Sequence, residues 1–409
     1  MARETLSLFH RIESALETIA LGSTPLEIVQ NTAEFLTANF ADDLGIRGGR
    51  IYAHTNGSFE LVKGFGEATA APVGLRVWRT YPPFEQMLDT GVVVMNRDDD
   101  RLDQQLEKEL GTREWFAAIT VSEGQYVLSF DVDCRGVNDD KLHSTLNIIR
   151  LAVNQKLREE RMVAIMEDAR QIQNSILPRH LPKPGDFEIA ARSVAAEIVG
   201  GDFYDVIVLD DEVFDVVIAD ATGHGLPAAL QVRDVFTGLR MGLSREFKLT
   251  RTLERLNNII HRSRLATKFV SLVLVELDLA GTVIYCNAGH PRPILMRVDG
   301  SVARLDMGGP ILGPIPNATY SIGIQCMAPG DTLVLFTDGV TEANDADDEE
   351  YGIERMIHTV RTNRHHDPAA MVDRIFTDVA EFSQQTPPAD DQTVVVLKRR
   401  LPELEEEPA

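Results

Sequence analysis

The sequence contains one stretch, from Asn138 to Ser175, that has neither glycine nor proline and reads as a single helix. Helices of globular domains average about 10–14 residues, so this one is too long for an ordinary domain core. Pro178, Pro182 and Pro184 follow this helix. They end it, because proline cannot continue an α-helix. The helix therefore predicts two domains joined by a helical connector.

The apolar residues of this helix fall into two runs with four-three spacing, which is typical of a coiled-coil seam. The two runs are Leu142, Leu146, Ile149 and Val153, then Met162, Ile165, Ala169, Ile172 and Ile176. The charged segment "KLREER" separates them and breaks the register. We predict a dimerising stalk; the alternative is an amphipathic helix that packs on its own domain.

The segment before the helix reads as a mixed α and β module. Two helical periods between Glu4 and Leu44 are followed by alternating runs around Asn56-Gly57, a strong hairpin signal. Three further runs, "GVVVMN", "WFAAITV" and "GQYVLSFDVD", predict antiparallel strands. These boundaries give a first domain at 1–137 and a linker at 138–184.

After the linker, strand patterns outnumber helix patterns, and several of them read as meanders rather than as strand-helix-strand units. This favours a β-sandwich flanked by helices over a doubly wound parallel sheet, so the predicted fold class of the chain is α+β. The second domain spans 185–401, and the remaining residues, 402–409, form an acidic tail.

Aspartates stand where apolar strands of this second domain meet loops. Asp202 precedes one strand and Asp220 ends the next; Asp338 follows another, and Asp390 and Asp391 precede the last. Aspartate is depleted in strands, although any single one of these residues can cap a turn. Several clustered carboxylates repel one another unless a cation lies among them.

Oxygen ligands without a histidine or cysteine partner favour hard cations such as Mg²⁺ or Mn²⁺. Two such ions can activate a water for in-line attack on a phosphoryl group. The segment "TGHG", Thr222 to Gly225, follows Asp220 and lets backbone carbonyls approach a metal. The chain contains no GxSxG and no Walker-type loop. The pattern thus indicates hydrolysis of a phosphate ester by metal-activated water.

Composition narrows the class of partners. The formal net charge of −23 disfavours nucleic acid and membrane surfaces as main partners. The three cysteines have no CxxC spacing, which fits a reduced cytoplasm rather than a disulfide framework. No run approaches the roughly 18 apolar residues of a membrane span. We therefore expect a soluble, cytoplasmic protein.

Six motifs, in order, resemble the metal-dependent protein phosphatase (PPM) family, and more closely its bacterial SpoIIE/RsbU branch. They are "VGGDFYD", "DATGHG", "NAGHPRP", "GPILG", "LFTDGVTEA" and "DDQTVVV". The resemblance implies an αββα sandwich that removes phosphate from phosphoserine or phosphothreonine in proteins, using two Mn²⁺ or Mg²⁺ ions.

The resemblance also assigns roles to single residues. Asp220 matches the aspartate that bridges both metals, and Ala221 the residue that lends its backbone carbonyl. Asp202, Asp338 and Asp390 match the remaining metal ligands.

Asp390 is preferred to Asp391 as the ligand because it stands three residues before Thr393. Asp391 and three glycines are expected to shape the site; the glycines are Gly201, Gly223 and Gly339. His224 is either the acid that protonates the leaving group or a structural residue of its loop.

Within that branch the substrate is usually a phosphorylated STAS-domain protein of the anti-anti-sigma factor type. The N-terminal module resembles a GAF sensor domain, by its helix pair, the hairpin "GGRIYAHTNGSFELVKGFGEA" and the strand "QYVLSFDVD". The signal or ligand that it senses is not readable from the sequence.

We therefore expect a phosphatase whose sensor acts through a dimeric linker. Two other classes stay open: a non-catalytic pseudophosphatase that only binds a partner, and a metal-dependent phosphodiesterase or nucleotide hydrolase. The acidic composition and the lack of a nucleotide loop disfavour the third class.

Overall fold

The structure is a computed structural model that divides the chain into two compact units, residues 1–165 and 166–409. It describes residues 24–68, 72–96, 98–110, 112, 115–133, 139–223, 225–243, 248–263 and 269–401. The first predicted helical period, His224 and the predicted acidic tail lie outside the described residues. The division falls inside the long helix, not at its start.

The first unit consists of six strands and four helices among its described residues, the last helix continuing into the second unit. The helices are α1 (Pro25–Leu44), α2 (Pro82–Thr90), α3 (Gln104–Leu110) and α4 (Asp139–Ile176). The strands are β1 (Ile46–Thr55), β2 (Ser58–Gly66), β3 (Arg76–Trp78), β4 (Val92–Asn96), β5 (Trp115–Val121) and β6 (Tyr126–Val132). All pair antiparallel in the order β3-β2-β1-β6-β5-β4.

The predicted hairpin is confirmed as the β1–β2 connection. Thr55 pairs with Ser58 across a two-residue turn. Both turn residues have positive φ, 47° at Asn56 and 82° at Gly57. Asparagine and glycine tolerate this left-handed backbone, so the turn fixes the register of the first two strands.

Helices cover both faces of this sheet. One face packs against α1 and α4 in a core that includes Ile28, Leu36 and Phe130; the other packs against α2, where Phe84 is buried. The first predicted coiled-coil run lies in the former core, and its members are fully buried: Leu142, Leu146, Ile149 and Val153. The expectation of a free seam there is wrong, because that helix face covers the sheet of its own unit.

The second unit contains eleven strands and five helices after α4 in its described residues. The strands are β7 (Phe187–Val194), β8 (Asp202–Val208), β9 (Val213–Ala221), β10 (Val270–Asp278), β11 (Thr282–Ala288), β12 (Ile294–Met296), β13 (Val302–Arg304), β14 (Gly308–Gly309), β15 (Gly323–Cys326), β16 (Thr332–Phe336) and β17 (Gln392–Arg399). The helices are α5 (Leu226–Gly242), α6 (Leu249–Arg262), α7 (Asp338–Thr341), α8 (Gly352–Thr362) and α9 (Pro368–Phe382).

These strands form two sheets packed face to face. One sheet has the order β14-β11-β10-β9-β8, with β15 also paired to β11; the other has the order β13-β12-β16-β17-β7. Val216, Ile218 and Leu335 lie in the core between the sheets. Helices α5 and α6 cover the outer face of the first sheet, and α8 and α9 cover that of the second. The unit is an αββα sandwich, as the resemblance implied.

Strand β7 was not predicted. It lies at the edge of its sheet, paired only to β17, and most of its side chains are half-buried. An edge strand lacks the strong apolar alternation of a central one, so its sequence "FEIAARSV" gives little pattern to read. None of the described helices is long and apolar enough to cross a lipid bilayer.

Candidate active site

Strands β8 and β9 bring the first two predicted aspartates together. Asp202 opens β8, and its Cα is paired directly with that of Asp220 near the end of β9. Directly paired residues of antiparallel strands present their side chains on the same face of the sheet. The two carboxylates therefore share one end of the first sheet although 17 residues separate them in the sequence.

The second sheet supplies the other two aspartates. Strand β16 is followed by Asp338, the first residue of α7, and Asp390 lies just before β17. Because β16 and β17 are antiparallel neighbours, the end of one meets the start of the other. Asp220, Asp338 and Asp390 line a single cavity of about 420 Å³.

Asp202 lies deeper than these three, and its side chain is held in place by a threonine. Thr337 Oγ1 donates a hydrogen bond to Asp202 Oδ2 at 2.8 Å, and accepts one from the backbone N–H of Thr393 at 2.9 Å. The residue is 3% exposed. Burial raises the pKa of Asp202 well above its usual range, and the charge of Asp220 raises it further.

Burial and repulsion between carboxylates also raise the pKa values of Asp220 and Asp338, which line the cavity. Burial, and then the charges of Asp338 and Asp390, raise the pKa of Asp220 to about 7. The pKa of Asp338 is raised by burial and by Asp390. No lysine or arginine lines this cavity in the part of the chain that the structure describes. The carboxylates thus repel one another with no basic side chain of the lining to neutralise them.

Glu342 belongs to this acidic environment and was not predicted. It follows α7, and burial together with Asp338 raises its pKa. The signal was present in the motif "LFTDGVTEA", since a residue four positions after Asp338 lies one helical turn away.

A hard divalent cation fits the chemistry of this donor set. Carboxylate oxygens are the ligands that Mg²⁺ and Mn²⁺ prefer, and a cation would relieve the repulsion that raises these pKa values. Among the described residues, no group of three or more Asp, Glu, His or Cys side chains is drawn into one coordination shell. The side chains of Asp220, Asp338 and Asp390 face a common cavity.

Asp390 and Asp391 have different surroundings. Asp390 lines the cavity, whereas both carboxylate oxygens of Asp391 accept backbone hydrogen bonds. The donors are the N–H groups of Ala196, at 2.8 Å, and Gly201. Asp391 therefore ties the loop before β8 to the start of β17, whereas Asp390 faces the cavity and accepts from the Asp391 N–H with Oδ1 only, at 2.8 Å.

Glycines allow close packing around these carboxylates. A Cβ on Gly201 would lie 2.5 Å from the backbone oxygen of Ala221, the carbonyl expected to bind metal. A Cβ on Gly339 would collide with the backbone oxygen of Asp391. Gly223 lines the cavity with a φ of 97°, and His224 beside it lies outside the described residues.

A hydrogen-bonded pair of side chains, Ser271 and His290, lies next to Asp220. Ser271 lines the cavity and is paired with Asp220 across β9 and β10. Its Oγ shares a hydrogen bond of 2.7 Å with Nδ1 of His290, a residue of the motif "NAGHPRP". Burial lowers the pKa of His290 to about 3, so the ring is neutral and adds no positive charge to the site. It positions Ser271.

The C-terminal segment of α4 contacts the loop that precedes Asp202. Gln173 is buried; its Nε2 donates to the Gly200 oxygen at 2.7 Å, and its Oε1 accepts from the Gly200 N–H at 3.0 Å. Ala169 of the same segment packs against Val199 and Ala229. The end of the predicted linker is therefore joined directly to the backbone next to a predicted metal ligand.

Sequence comparisons agree on the class of this domain. Residues 210–400 match the family model described as Stage II sporulation protein E (SpoIIE). Protein IcfG of Synechocystis is 29% identical over 250 residues, which cover 53% of this chain and 39% of IcfG. Phosphoserine phosphatase RsbU of Bacillus subtilis is 26% identical over 263 residues, which cover 63% of this chain and 74% of RsbU. The chain thus spans about two fifths of one relative and three quarters of the other.

A structural comparison agrees on the fold. The SiaA-PP2C domain of Pseudomonas aeruginosa superposes with a TM-score of 0.52 at 22% identity, covering 59% of this chain and 97% of that domain. At this identity the likeness concerns the fold alone. In this chain, the two sheets of that fold have their aspartates at the strand ends that meet at one cavity.

Proposed function

Because the chain contains a SpoIIE/PP2C-type phosphatase domain, we propose that it is a metal-dependent phosphatase that removes phosphate from phosphoserine or phosphothreonine of a regulatory protein. The observation that carries the proposal is the cavity into which Asp220, Asp338 and Asp390 face, with Asp202 buried behind them. Bringing together partly buried carboxylates that repel one another costs folding free energy. A cation held among them would offset that cost.

The proposed ligands of two Mn²⁺ or Mg²⁺ ions are the four aspartates and the Ala221 backbone carbonyl. When bound, the ions would neutralise the phosphate and lower the pKa of an attacking water. The chain's own residues do the positioning: Thr337 orients Asp202, and Asp391 fixes the loop before β8. Ser271 presents a hydroxyl beside Asp220 at the wall of the cavity. His224 stays a candidate proton donor or loop residue.

The proposed substrate is a phosphorylated STAS-domain protein, as the resemblance implies. The relative RsbU is named a phosphoserine phosphatase, which supports a phosphoserine protein as the class of substrate. An acidic chain that disfavours polyphosphate partners supports a protein substrate over a nucleotide.

We further propose that the first unit is a GAF-like sensor and that α4 transmits its state. The Gln173–Gly200 contact supports this, because a shift of α4 would displace the backbone next to Asp202. The second predicted coiled-coil run supports a homodimer, since several of its side chains are exposed: Met162, Ile165 and Ile172. Light scattering of the intact chain tests the dimer.

Phosphate release from a phosphoserine STAS protein, measured with and without Mn²⁺, tests the activity. We expect metal-dependent release by the wild type and a loss of about a thousandfold or more in Asp220→Asn, since a proposed metal ligand loses its charge. Asp215→Asn is the matched control, because it makes the same change in the same strand β9 outside the cavity. It should retain activity.

The other outcomes separate the remaining classes. An inactive wild type against several phosphoproteins would favour the pseudophosphatase, which only binds its partner. Release from nucleotides alone would favour a nucleotide hydrolase.

A further inference from the structure

The first unit contains a cleft of about 580 Å³ that belongs neither to the phosphatase site nor to the sheet cores. It lies between α4, the junction of α2 with β4, and the turn between β5 and β6. Four of its lining residues are arginines: Arg79, Arg150, Arg158 and Arg161.

Three of the four arginines lie along one face of α4. Arg150, Asn154, Arg158 and Arg161 follow one another at intervals of four, four and three residues, and all line the cleft. Residues three or four apart share one face of an α-helix. Arg79, which precedes α2 in the chain, also lines the cleft. In a chain of net charge −23 this is an unusual concentration of positive charge.

Two of the arginines are held in position, and two are free to bind. Arg150 donates from Nε and Nη2 to Asn147 Oδ1, at 3.1 and 3.0 Å, and a Cβ on Gly91 would lie 2.7 Å from its guanidinium carbon. Arg158 donates from Nε to the Asn154 oxygen at 3.2 Å. Within the described ranges, the side chains of Arg79 and Arg161 line the cleft without a hydrogen bond or ion pair to another residue.

A buried hydroxyl in the same cleft also lacks a partner. Thr120 is 9% exposed, and its Oγ1 has no hydrogen bond to any described residue. A Cβ on Gly124, which also lines the cleft, would lie 4.0 Å from this oxygen. An unsatisfied buried hydroxyl costs about 1–3 kcal/mol, which a hydrogen-bonding ligand would recover.

The lining restricts the chemistry of that ligand. The lining residues are polar apart from Leu88, Leu157 and two glycines, and within the described residues none of them is aromatic. A nucleotide base would find no ring to stack on. Asp89 and Glu123 are the acidic members, so the four arginines outnumber them and the two acids can accept hydrogen bonds from hydroxyls. The volume falls in the range of small-molecule sites, about 300–1,000 Å³.

We propose that this cleft binds a small phosphorylated polyol, with its phosphates on the guanidinium groups and a hydroxyl or phosphate oxygen on Thr120. Arginine is suited to phosphate because its planar fork offers paired N–H donors. The site lies in the first unit, so binding there does not depend on the proposed phosphatase activity.

Isothermal titration calorimetry of the full chain in metal-free buffer tests the site with fructose 1,6-bisphosphate as the probe. Without divalent metal the acidic phosphatase cavity repels the probe, so heat reports on the cleft. We expect saturable binding that is weakened about tenfold or more by Arg158→Glu with Arg161→Glu, because two charge-assisted contacts become repulsive. Both side chains are exposed, so the variant should fold.

Arg47→Glu with Arg76→Glu is the matched control, since it makes the same charge change at exposed arginines of the same unit outside the cleft. It should bind as the wild type does. Thr120→Val should raise the melting temperature of the free protein and weaken probe binding.

Four results would overturn the proposal. They are no binding of the probe at millimolar concentration, wild-type affinity in the Arg158/Arg161 variant, equal weakening in the control variant, and tighter binding of ATP or of an acidic peptide than of the bisphosphate.

Discussion

Two buried carboxylate sites, one in each unit, differ in whether a basic side chain neutralises them. In the first unit, Asp131 is paired with Arg50: both of its oxygens accept from the guanidinium at 3.1 Å, and the two side chains are 5% and 1% exposed. Arg50 also donates from Nε to the Leu110 oxygen at 2.9 Å. In the second unit, Asp202 and Asp220 share a sheet edge with no such pairing in the described cavity.

The difference separates a carboxylate that the fold neutralises from carboxylates that have no basic side chain in the cavity lining. A buried carboxylate with a bidentate arginine is neutralised within the fold, and breaking the pair leaves an uncompensated charge. Asp202 and Asp220 have raised pKa values, because burial and the neighbouring carboxylates both disfavour their charged forms. Keeping them charged in the metal-free protein therefore costs folding free energy. Loss of one member should therefore have a different effect on stability at each of these two sites.

The largest stability effect should come from breaking the neutralised pair. Arg50→Ala leaves Asp131 buried and charged, so we expect a loss of about 3–5 kcal/mol in the free energy of unfolding of the first unit. Chemical denaturation measures it. Arg76→Ala is the comparison, because Arg76 forms an exposed pair with Glu60 at 3.1 Å; it should cost about 1 kcal/mol or less. Equal losses in the two variants would contradict the role of burial.

At the cavity lined by Asp220, Asp338 and Asp390, we expect a substitution to stabilise the metal-free protein rather than destabilise it. Asp220→Asn removes one charge from the repelling set, so the metal-free protein should gain about 1–3 kcal/mol in stability while activity is lost. Thermal melts with and without Mn²⁺ measure this. The wild type should be stabilised by the metal, and the variant should lose most of that gain. A variant less stable than the wild type in metal-free buffer would contradict the repulsion.

We expect a smaller effect from breaking the uncharged contact between Gln173 and the backbone of Gly200. Gln173→Leu removes both hydrogen bonds to Gly200 and loosens the loop before Asp202. We expect the Mn²⁺ concentration for half-maximal activity to rise about tenfold, which corresponds to roughly 1.4 kcal/mol. The exposed neighbour Gln171 offers the matched change, Gln171→Leu, which should leave metal dependence unaltered. Parallel effects in both variants would remove Gln173 from the positioning of Asp202.

A last prediction, measured as a change of slope with pH, tests a carboxylate that resembles neither case. Asp215 is 1% exposed, and neither of its oxygens has a hydrogen-bond partner among the described residues. Burial, together with Glu276, raises its pKa to about 8 from an ordinary value of 3.8. The folded state therefore keeps a proton that the unfolded state has lost.

The sign follows from proton linkage. The stabilising proton is fully present below about pH 4 and its contribution is lost as the pH rises towards 8, at up to about 1.4 kcal/mol per pH unit. Asp215→Asn should flatten the fall in unfolding free energy over this range, as measured by denaturation at several pH values. An unchanged slope would show that Asp215 is ionised in the fold.

Much of the architecture could be predicted because it depends on local pattern. Asn56-Gly57 specified a hairpin, since only a few residue pairs tolerate its backbone. The glycine- and proline-free stretch specified one long helix. The four aspartates stood out because their positions contradict strand propensity. Strand β7 escaped prediction because an edge strand carries little alternation.

The sequence by itself thus determined which residues are acidic at strand ends, where the long helix lies, and which family of motifs the second domain resembles. Only the tertiary structure decided which of those residues meet. It set Asp390 into the cavity and Asp391 onto backbone N–H groups, although the two are neighbours in sequence. It also buried one apolar run of α4 in the first unit and brought Gln173 to Gly200. The physical reason is that spacing specifies periodicity and local conformation, whereas burial and charge neutralisation depend on contacts between segments far apart in the chain.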